Sequence, residues 1–207
     1  MLPPTLPIFP LPNVVLFPQV FLPLHIFEPR YRAMVTDAMS GDRLIGMALL
    51  RPGWESDYDG RPPVYPIGCA GVITHHDRLP DGRYNIVLRG LEKFRITRED
   101  TDRPYRVAQI ESLEERLGNG EREVIGTARR RLEEMLIPKP SGRGAQAIPS
   151  TMSDEDFVNT LAQYMELEPL EKQALLEREG PLARCHSLIE LLEMKLITAK
   201  YDWTGRH

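Results

Sequence analysis

The stretch Leu6-Pro7-Ile8-Phe9-Pro10-Leu11-Pro12, continued by Leu16-Phe17-Pro18 and Leu22-Pro23-Leu24-His25-Ile26-Phe27-Glu28, decides how this chain folds. Residues 1–27 carry no Asp, Glu, Lys or Arg, and eight of the first thirty positions are proline. Hydropathy alone would make the stretch a membrane span. Yet each of Pro7, Pro10, Pro12, Pro18 and Pro23 removes a backbone donor and would cost about 3 kcal/mol inside a helix. The stretch therefore reads as short extended segments over residues 14–17 and 20–24, with prolines at their ends or on a sheet edge. Segments this apolar must be buried by the rest of the chain.

Outward from this opening the pattern stays β-rich for about half the chain. Residues 29–39 predict one isolated helix: Pro29 suits its first turn, Tyr31, Met34, Val35 and Ala38 form an apolar stripe, and Gly41 closes it. Residues 44–50 make an apolar run of strand length, and residues 54–63 turn to loop composition. A strand over residues 66–75 holds Gly68, Ala70 and Gly71, where a second backbone can approach closely. Leu79-Pro80-Asp81-Gly82 predicts a tight turn into a strand in which Tyr84, Ile86 and Leu88, then Phe94 and Ile96, alternate with their neighbours. Residues 105–110 supply a last strand.

After Glu111 the apolar period changes from two to about 3.6. Val124, Ile125, Ala128, Leu132, Met135 and Leu136 mark a first helix ending at Pro138, and residues 138–152 read as an irregular connection. Ser153 and Asp156 form a capping-box-like start to a second helix, and Pro169 opens a third. Gly180-Pro181 precedes a fourth, with Leu182, Cys185, Leu188, Ile189, Leu192 and Leu196 at helical spacing. The expected class is α+β: an antiparallel pseudo-barrel over residues 1–112, then an α-helical bundle over residues 113–207.

Composition is that of an ordinary globular protein, with 42% hydrophobic and 27% charged residues. The net charge is −4, and neither half has the positive excess of a nonspecific nucleic-acid binder. The start lacks the basic residues of a secretory signal, since the first is Arg30, and a cytoplasmic location is expected. Cys69 and Cys185 are expected to be reduced and buried. Neither Cys185-His186 nor His75-His76 has metal-ligand spacing, so no metal site or cofactor is expected.

Several further motifs occur in order: Glu28-Pro29-Arg30-Tyr31-Arg32-Ala33-Met34, Arg51-Pro52-Gly53-Trp54, Gly68-Cys69-Ala70-Gly71-Val72-Ile73, Leu79-Pro80-Asp81-Gly82-Arg83-Tyr84, and Arg89-Gly90-Leu91-Glu92-Lys93-Phe94-Arg95-Ile96. With the proline-rich opening they resemble the N-terminal (LON) domain of the Lon protease family, and the chain is similar to the small bacterial proteins that carry this domain alone. The resemblance covers roughly the first 110 residues, and beyond them Glu171-Lys172-Gln173-Ala174-Leu175-Leu176-Glu177 is the most familiar stretch. It implies a PUA-like architecture for the barrel and a role in recognising protein substrates.

The catalytic parts of that family, an ATPase module and a protease module with a Ser and a Lys, are not matched within these 207 residues. No GxxxxGK[ST] loop is present to cradle phosphates. Ser187 and Lys195, eight residues apart on one helix, would be separated by about 12 Å of rise, too far for a dyad. His25, between Leu24 and Ile26, reads as a structural histidine, and the paired carboxylates read as solvated helix faces and caps. The expectation is a non-catalytic polypeptide-binding or adaptor module. Its partners would be unfolded or partner polypeptides, or a separate ATPase or protease, with weak self-association allowed. No membrane partner is expected, and RNA binding, suggested by the PUA-like fold alone, is disfavoured by charge. Candidate contacts are the loop aromatics Trp54, Tyr58 and Tyr65, which serve a partner, the alternative being that Trp54 folds back as a lid on the barrel. Ile137, Ile148 and Met152, around the irregular connection, are the others.

Overall fold

The structure is a computed structural model that describes residues 2–58, 60–100, 102–136 and 152–204. Strands β1 (Thr5–Leu11) and β2 (Phe21–Ile26) precede helix α1 (Pro29–Met39), and β3 (Leu44–Leu49), β4 (Ile67–Arg78), β5 (Tyr84–Asp100) and β6 (Arg106–Leu113) follow it. Helices α2 (Glu121–Leu136), α3 (Asp154–Tyr164), α4 (Pro169–Leu176) and α5 (Gly180–Thr204) complete the described chain.

The opening is extended, but not where its residue pattern suggests. The first strand lies at Thr5–Leu11, across Pro7 and Pro10, while residues 14–17 form no strand. β1 changes partner halfway: residues 5–8 pair antiparallel with β6, and residues 8–11 pair parallel with β3. Pro4 O accepts from Ile110 and Leu11 O from Leu50, so even-numbered residues face β6 and odd-numbered ones β3. The nitrogen of Pro7 therefore points to the β3 side before that pairing begins, and that of Pro10 to the β6 side after that pairing ends. Each proline stands where no ladder donor is needed, which lets a proline-bearing strand occupy the interior of a sheet. Residues 14–17 are instead a buried irregular segment. One side chain meets two of its backbone groups: Gln163 Oε1 accepts from Phe17 N at 3.1 Å and Gln163 Nε2 donates to Val15 O at 2.9 Å.

Pairings β1–β3, β3–β4, β4–β5, β5–β6 and β6–β1 close a ring of five strands, all antiparallel except the first pair. β2 hangs outside it on the first half of β5. The ring interior is filled by Leu6, Ile8, Ala48, Ala70, Phe94 and Ala108. Gly46 makes room for it: a Cβ there would stand 2.8 Å from Ile8 Cδ1 and 2.9 Å from Phe94 Cζ. Among the described residues the ring interior is thus a packed core of side chains.

Helices α2 to α5 pack on one another and on the outer face of the barrel, and the main apolar core takes side chains from both, among them Leu16, Phe17, Met47, Leu132, Phe157 and Leu188. The Ser153 hydroxyl caps α3 through Asp156 N, and Glu168 and Glu171 form a full capping box on α4. A buried polar cluster spans the junction. Arg184, fully buried, donates to Asn159 Oδ1 and Glu115 Oε1, each at 2.6 Å, and to Leu175 O at 3.1 Å. Lys93 from β5 donates to the same Glu115 at 2.8 Å and to the carbonyls of Leu176 and Arg178. Burial lowers the Lys93 pKa, and Glu115 draws it back up. Cys69 and Cys185 are free and buried.

Candidate polypeptide-binding site

Two surface regions carry side chains that the core does not use. The first is built on the turn after β3. Gly53, at φ 90, enters a 3-10 turn over Trp54–Asp57 that sets the Trp54 ring edge-on to Tyr58, with centroids 5.5 Å apart. The Tyr58 hydroxyl donates to Glu28 Oε1 at 2.6 Å, and the Arg30 guanidinium lies 5.1 Å from its ring centroid. Glu28 in turn accepts from Arg30 Nε at 3.0 Å, so the loop is tied to the start of α1. Burial, then the bond to Glu28, raises the Tyr58 pKa, and burial pushes Tyr31 beneath it up to about 12. Trp54 and Tyr58 are thus brought together, each partly exposed.

Tyr65 is held apart from that pair. It packs partly against the main core under the Arg51 guanidinium, 5.5 Å from its centroid, and its N–H donates to Leu49 O. Met152 also packs partly on the core, and its carbonyl accepts from Arg129. Ile137 and Ile148 lie outside the described residues.

The second region is the outer edge of β2, which the apolar opening conceals in sequence. Gln19, at φ 63, donates its N–H to Gly90 O while Gly90 donates to Val20 O, a bulge that starts the strand. Alternation from Val20 turns residues 22, 24 and 26 toward β5 and the backbone groups of Phe21, Pro23 and His25 outward. The Tyr164 hydroxyl donates to Phe21 O at 2.8 Å, on that outward side. Phe21, Phe27 and Tyr164 are 50%, 59% and 63% exposed. Beside them a shallow groove of about 330 Å³ runs over Pro23, Leu24, His25 and Val87. His25 Nδ1 lies 2.7 Å from Asn85 Oδ1, and its ring stacks on Phe27. Alternation within residues 20–27 was the available signal, since Phe21, Pro23 and His25 fall opposite the buried set.

Lys195 pairs with Glu171 at 2.9 Å. Among the described residues no helix is long and apolar enough to cross a membrane.

A closed small barrel with a docked helical bundle defines a mixed α+β domain, and comparison with known proteins supplies the family. The profile described as the ATP-dependent protease La (LON) substrate-binding domain matches residues 5–194. The chain belongs to this LON substrate-binding domain family. It is 29% identical over 199 residues to Lon protease 2 of Myxococcus xanthus, covering 94% of this chain and 24% of that protein. To a Lon protease of Anaeromyxobacter dehalogenans it is 27% identical, with the same coverage. The chain thus spans about a quarter of the length of these relatives. Its fold is similar to a Lon N-terminal domain protein from Xanthomonas campestris, with a TM-score of 0.63 at 23% identity, covering 90% of this chain and 97% of that one. It is also similar to the N-terminal domain of a Mycobacterium avium complex Lon protease, with a TM-score of 0.67 at 18% identity over 91% and 98% of the two chains.

Proposed function

We propose that this chain is a non-catalytic module that binds extended or unfolded polypeptides. The observation that carries the reading is the open edge of β2, where outward backbone groups lie among the exposed rings of Phe21, Phe27 and Tyr164. An extended segment added there would bond to the N–H groups of Phe21 and His25 and to the carbonyls of Pro23 and His25, and would rest apolar side chains on the rings. Pro23 limits the run of donors, which suits weak and sequence-tolerant binding and guards the edge against permanent pairing. Trp54, Tyr58, Tyr65 and Met152 are proposed as further contacts, since each keeps part of its surface exposed. Ile137 and Ile148 stay in that proposal on their sequence position alone. A separate ATPase or protease is the proposed recipient of the bound chain. The absence of catalysis is supported by the lack of a phosphate loop in these 207 residues and by the engagement of Lys195 with Glu171.

Hydrogen exchange tests the reading. A permanently unfolded polypeptide is expected to slow exchange at the amides of Phe21 and His25, and the pair Phe21→Ser with Phe27→Ser is expected to weaken its binding about tenfold, roughly 1.4 kcal/mol. Saturable binding without protection in residues 20–27 would move the site elsewhere and sink this reading of the edge.

A further inference from the structure

Beside the Trp54–Tyr58 turn lies a cavity of about 200 Å³ between the start of α1, residues Tyr58 and Gly60 to Pro62, and the start of β6. Three arginines line it, Arg30, Arg61 and Arg106, and the rest of its wall is Gly60, three prolines, Leu50 and the tyrosines Tyr31, Tyr58 and Tyr105. Arg106 is 5% exposed, yet it borders the cavity. It donates Nη1 to Glu99 and Nη2 to Pro62 O, while Arg30 donates Nε to Glu28 and Nη2 to Tyr58 O. A guanidinium carries five N–H donors, so two protein groups as acceptors leave Arg30 and Arg106 with donors to spare. Arg61, also in the wall, donates to the carbonyls of Asp100 and Arg103. Burying arginine beside arginine is costly: burial lowers the Arg106 pKa, Glu99 offsets part of that, and Arg61 and Arg30 lower it further.

We propose that this cavity binds a carboxylate, presented as the C-terminal residue of a polypeptide, with Arg30 and Arg106 holding the carboxylate and Pro10, Leu50 and Tyr31 receiving the terminal side chain. A planar carboxylate matches the planar guanidinium fork, and the volume is on the scale of one residue. A phosphate dianion fits less well. Glu28 and Glu99 stand at the arginines and Asp57 packs over Gly60 at the rim, so a second negative charge would be repelled. The site is separate from the β2 edge and adds a chain-end preference to general polypeptide binding.

The test is a titration of the full chain, followed by heteronuclear NMR, with N-acetyl-Leu-Phe bearing a free carboxylate, with its C-terminal amide, and with inorganic phosphate. The free acid is expected to shift the amides of Arg30, Tyr58 and Arg106, and the amide form to bind at least tenfold more weakly. Arg30→Gln, at a partly exposed position that leaves Arg106 in place, is expected to cut free-acid affinity about tenfold, while Arg103→Gln, outside the cavity, leaves it unchanged. Equal binding of acid and amide, tighter binding of phosphate, or shifts confined to residues 20–27 would each overturn the proposal. Should an unfolded polypeptide bind equally well with a free or amidated end, the carboxylate site falls and the edge reading stands. Should the free acid bind while unfolded polypeptide leaves residues 20–27 unprotected, the reverse holds.

Discussion

Replacing Arg184 by Met tests whether barrel and bundle depend on one buried cluster. The substitution keeps an apolar stem of similar length but removes the donors to Asn159 Oδ1, Glu115 Oε1 and Leu175 O. Hydrogen bonds involving a charged group contribute about 1.5–3 kcal/mol each, and breaking a buried ion pair by removing one partner costs about 3–5 kcal/mol. Glu115 keeps Lys93 at 2.8 Å, so it is not left wholly unpaired, and the retained stem still covers Phe17, whose ring centroid lies 5.6 Å from the guanidinium carbon. The expected loss is therefore about 4 kcal/mol, in the middle of the range for broken buried pairs. With a urea slope of about 2 kcal/mol/M, the midpoint falls by about 2 M. The assay is urea unfolding followed by far-UV circular dichroism and, in a Trp203→Phe background, by Trp54 fluorescence. Residues 1–112 and 113–207 are proposed to unfold as one cooperative unit, because the main core draws on both, and so the two signals are expected to coincide in the parent chain. A loss under about 1 kcal/mol would refute the reasoning, since a fully buried charge removed at that cost held nothing together.

Further outcomes follow from the barrel and from the buried titratable groups. Gly46→Val places a branched side chain against Ile8 and Phe94, and overpacking of this kind is expected to cost about 3 kcal/mol, read as a lower thermal midpoint; an unchanged midpoint would contradict a filled barrel. Burial pushes Cys69 up from 9.0 to about 12 and Cys185 from 9.0 to about 11, so both bind protons more tightly when folded. Their contribution to stability is complete below pH 9 and is lost as pH rises toward those folded values. Lys93 has the opposite sign: lowered by burial, it releases its proton earlier in the fold and adds stability as pH climbs toward 10.5. Cys69→Ala is accordingly expected to flatten the fall in stability between pH 9 and 11, measured by urea unfolding at several pH values, and an unaltered slope would deny the buried thiol that role.

Much of the fold could be read from local patterns, because the signals were local. Pro29, Ser153 and Pro169 begin helices where capping chemistry puts them, and Leu79-Pro80-Asp81-Gly82 leads into β5. What escaped depends on partners distant in sequence. Pro7 and Pro10, read alone, argue against a strand across them, and only the exchange of β6 for β3 between them accommodates both. Residues 14–17 have the look of a strand because their apolar side chains are largely buried, yet Phe17 N and Val15 O bond to Gln163, 146 residues away from Phe17, and not to a neighbouring strand. Arg184 sits one position before Cys185 in an apolar stripe, and only the convergence of Asn159, Leu175 and Glu115 explains it. Trp54 and Tyr58 were identifiable as loop aromatics, but their tether to Glu28 and Arg30 was not. Alternation within residues 20–27 puts Phe21 and Phe27 on one face, but that this face stays open follows from β2 standing at the end of the sheet, outside the ring, which is a fact of topology.

The central claim is that this chain holds polypeptides without cutting them. One incubation tests it most directly: the purified chain with a fluorescently labelled, permanently unfolded polypeptide and Mg-ATP, with anisotropy and the mass of the polypeptide followed in the same sample at low and moderate salt. The account predicts a saturable rise in anisotropy that survives salt while the polypeptide mass stays constant. Fragments appearing in an ATP-dependent manner, or flat anisotropy at both salt concentrations, would contradict it.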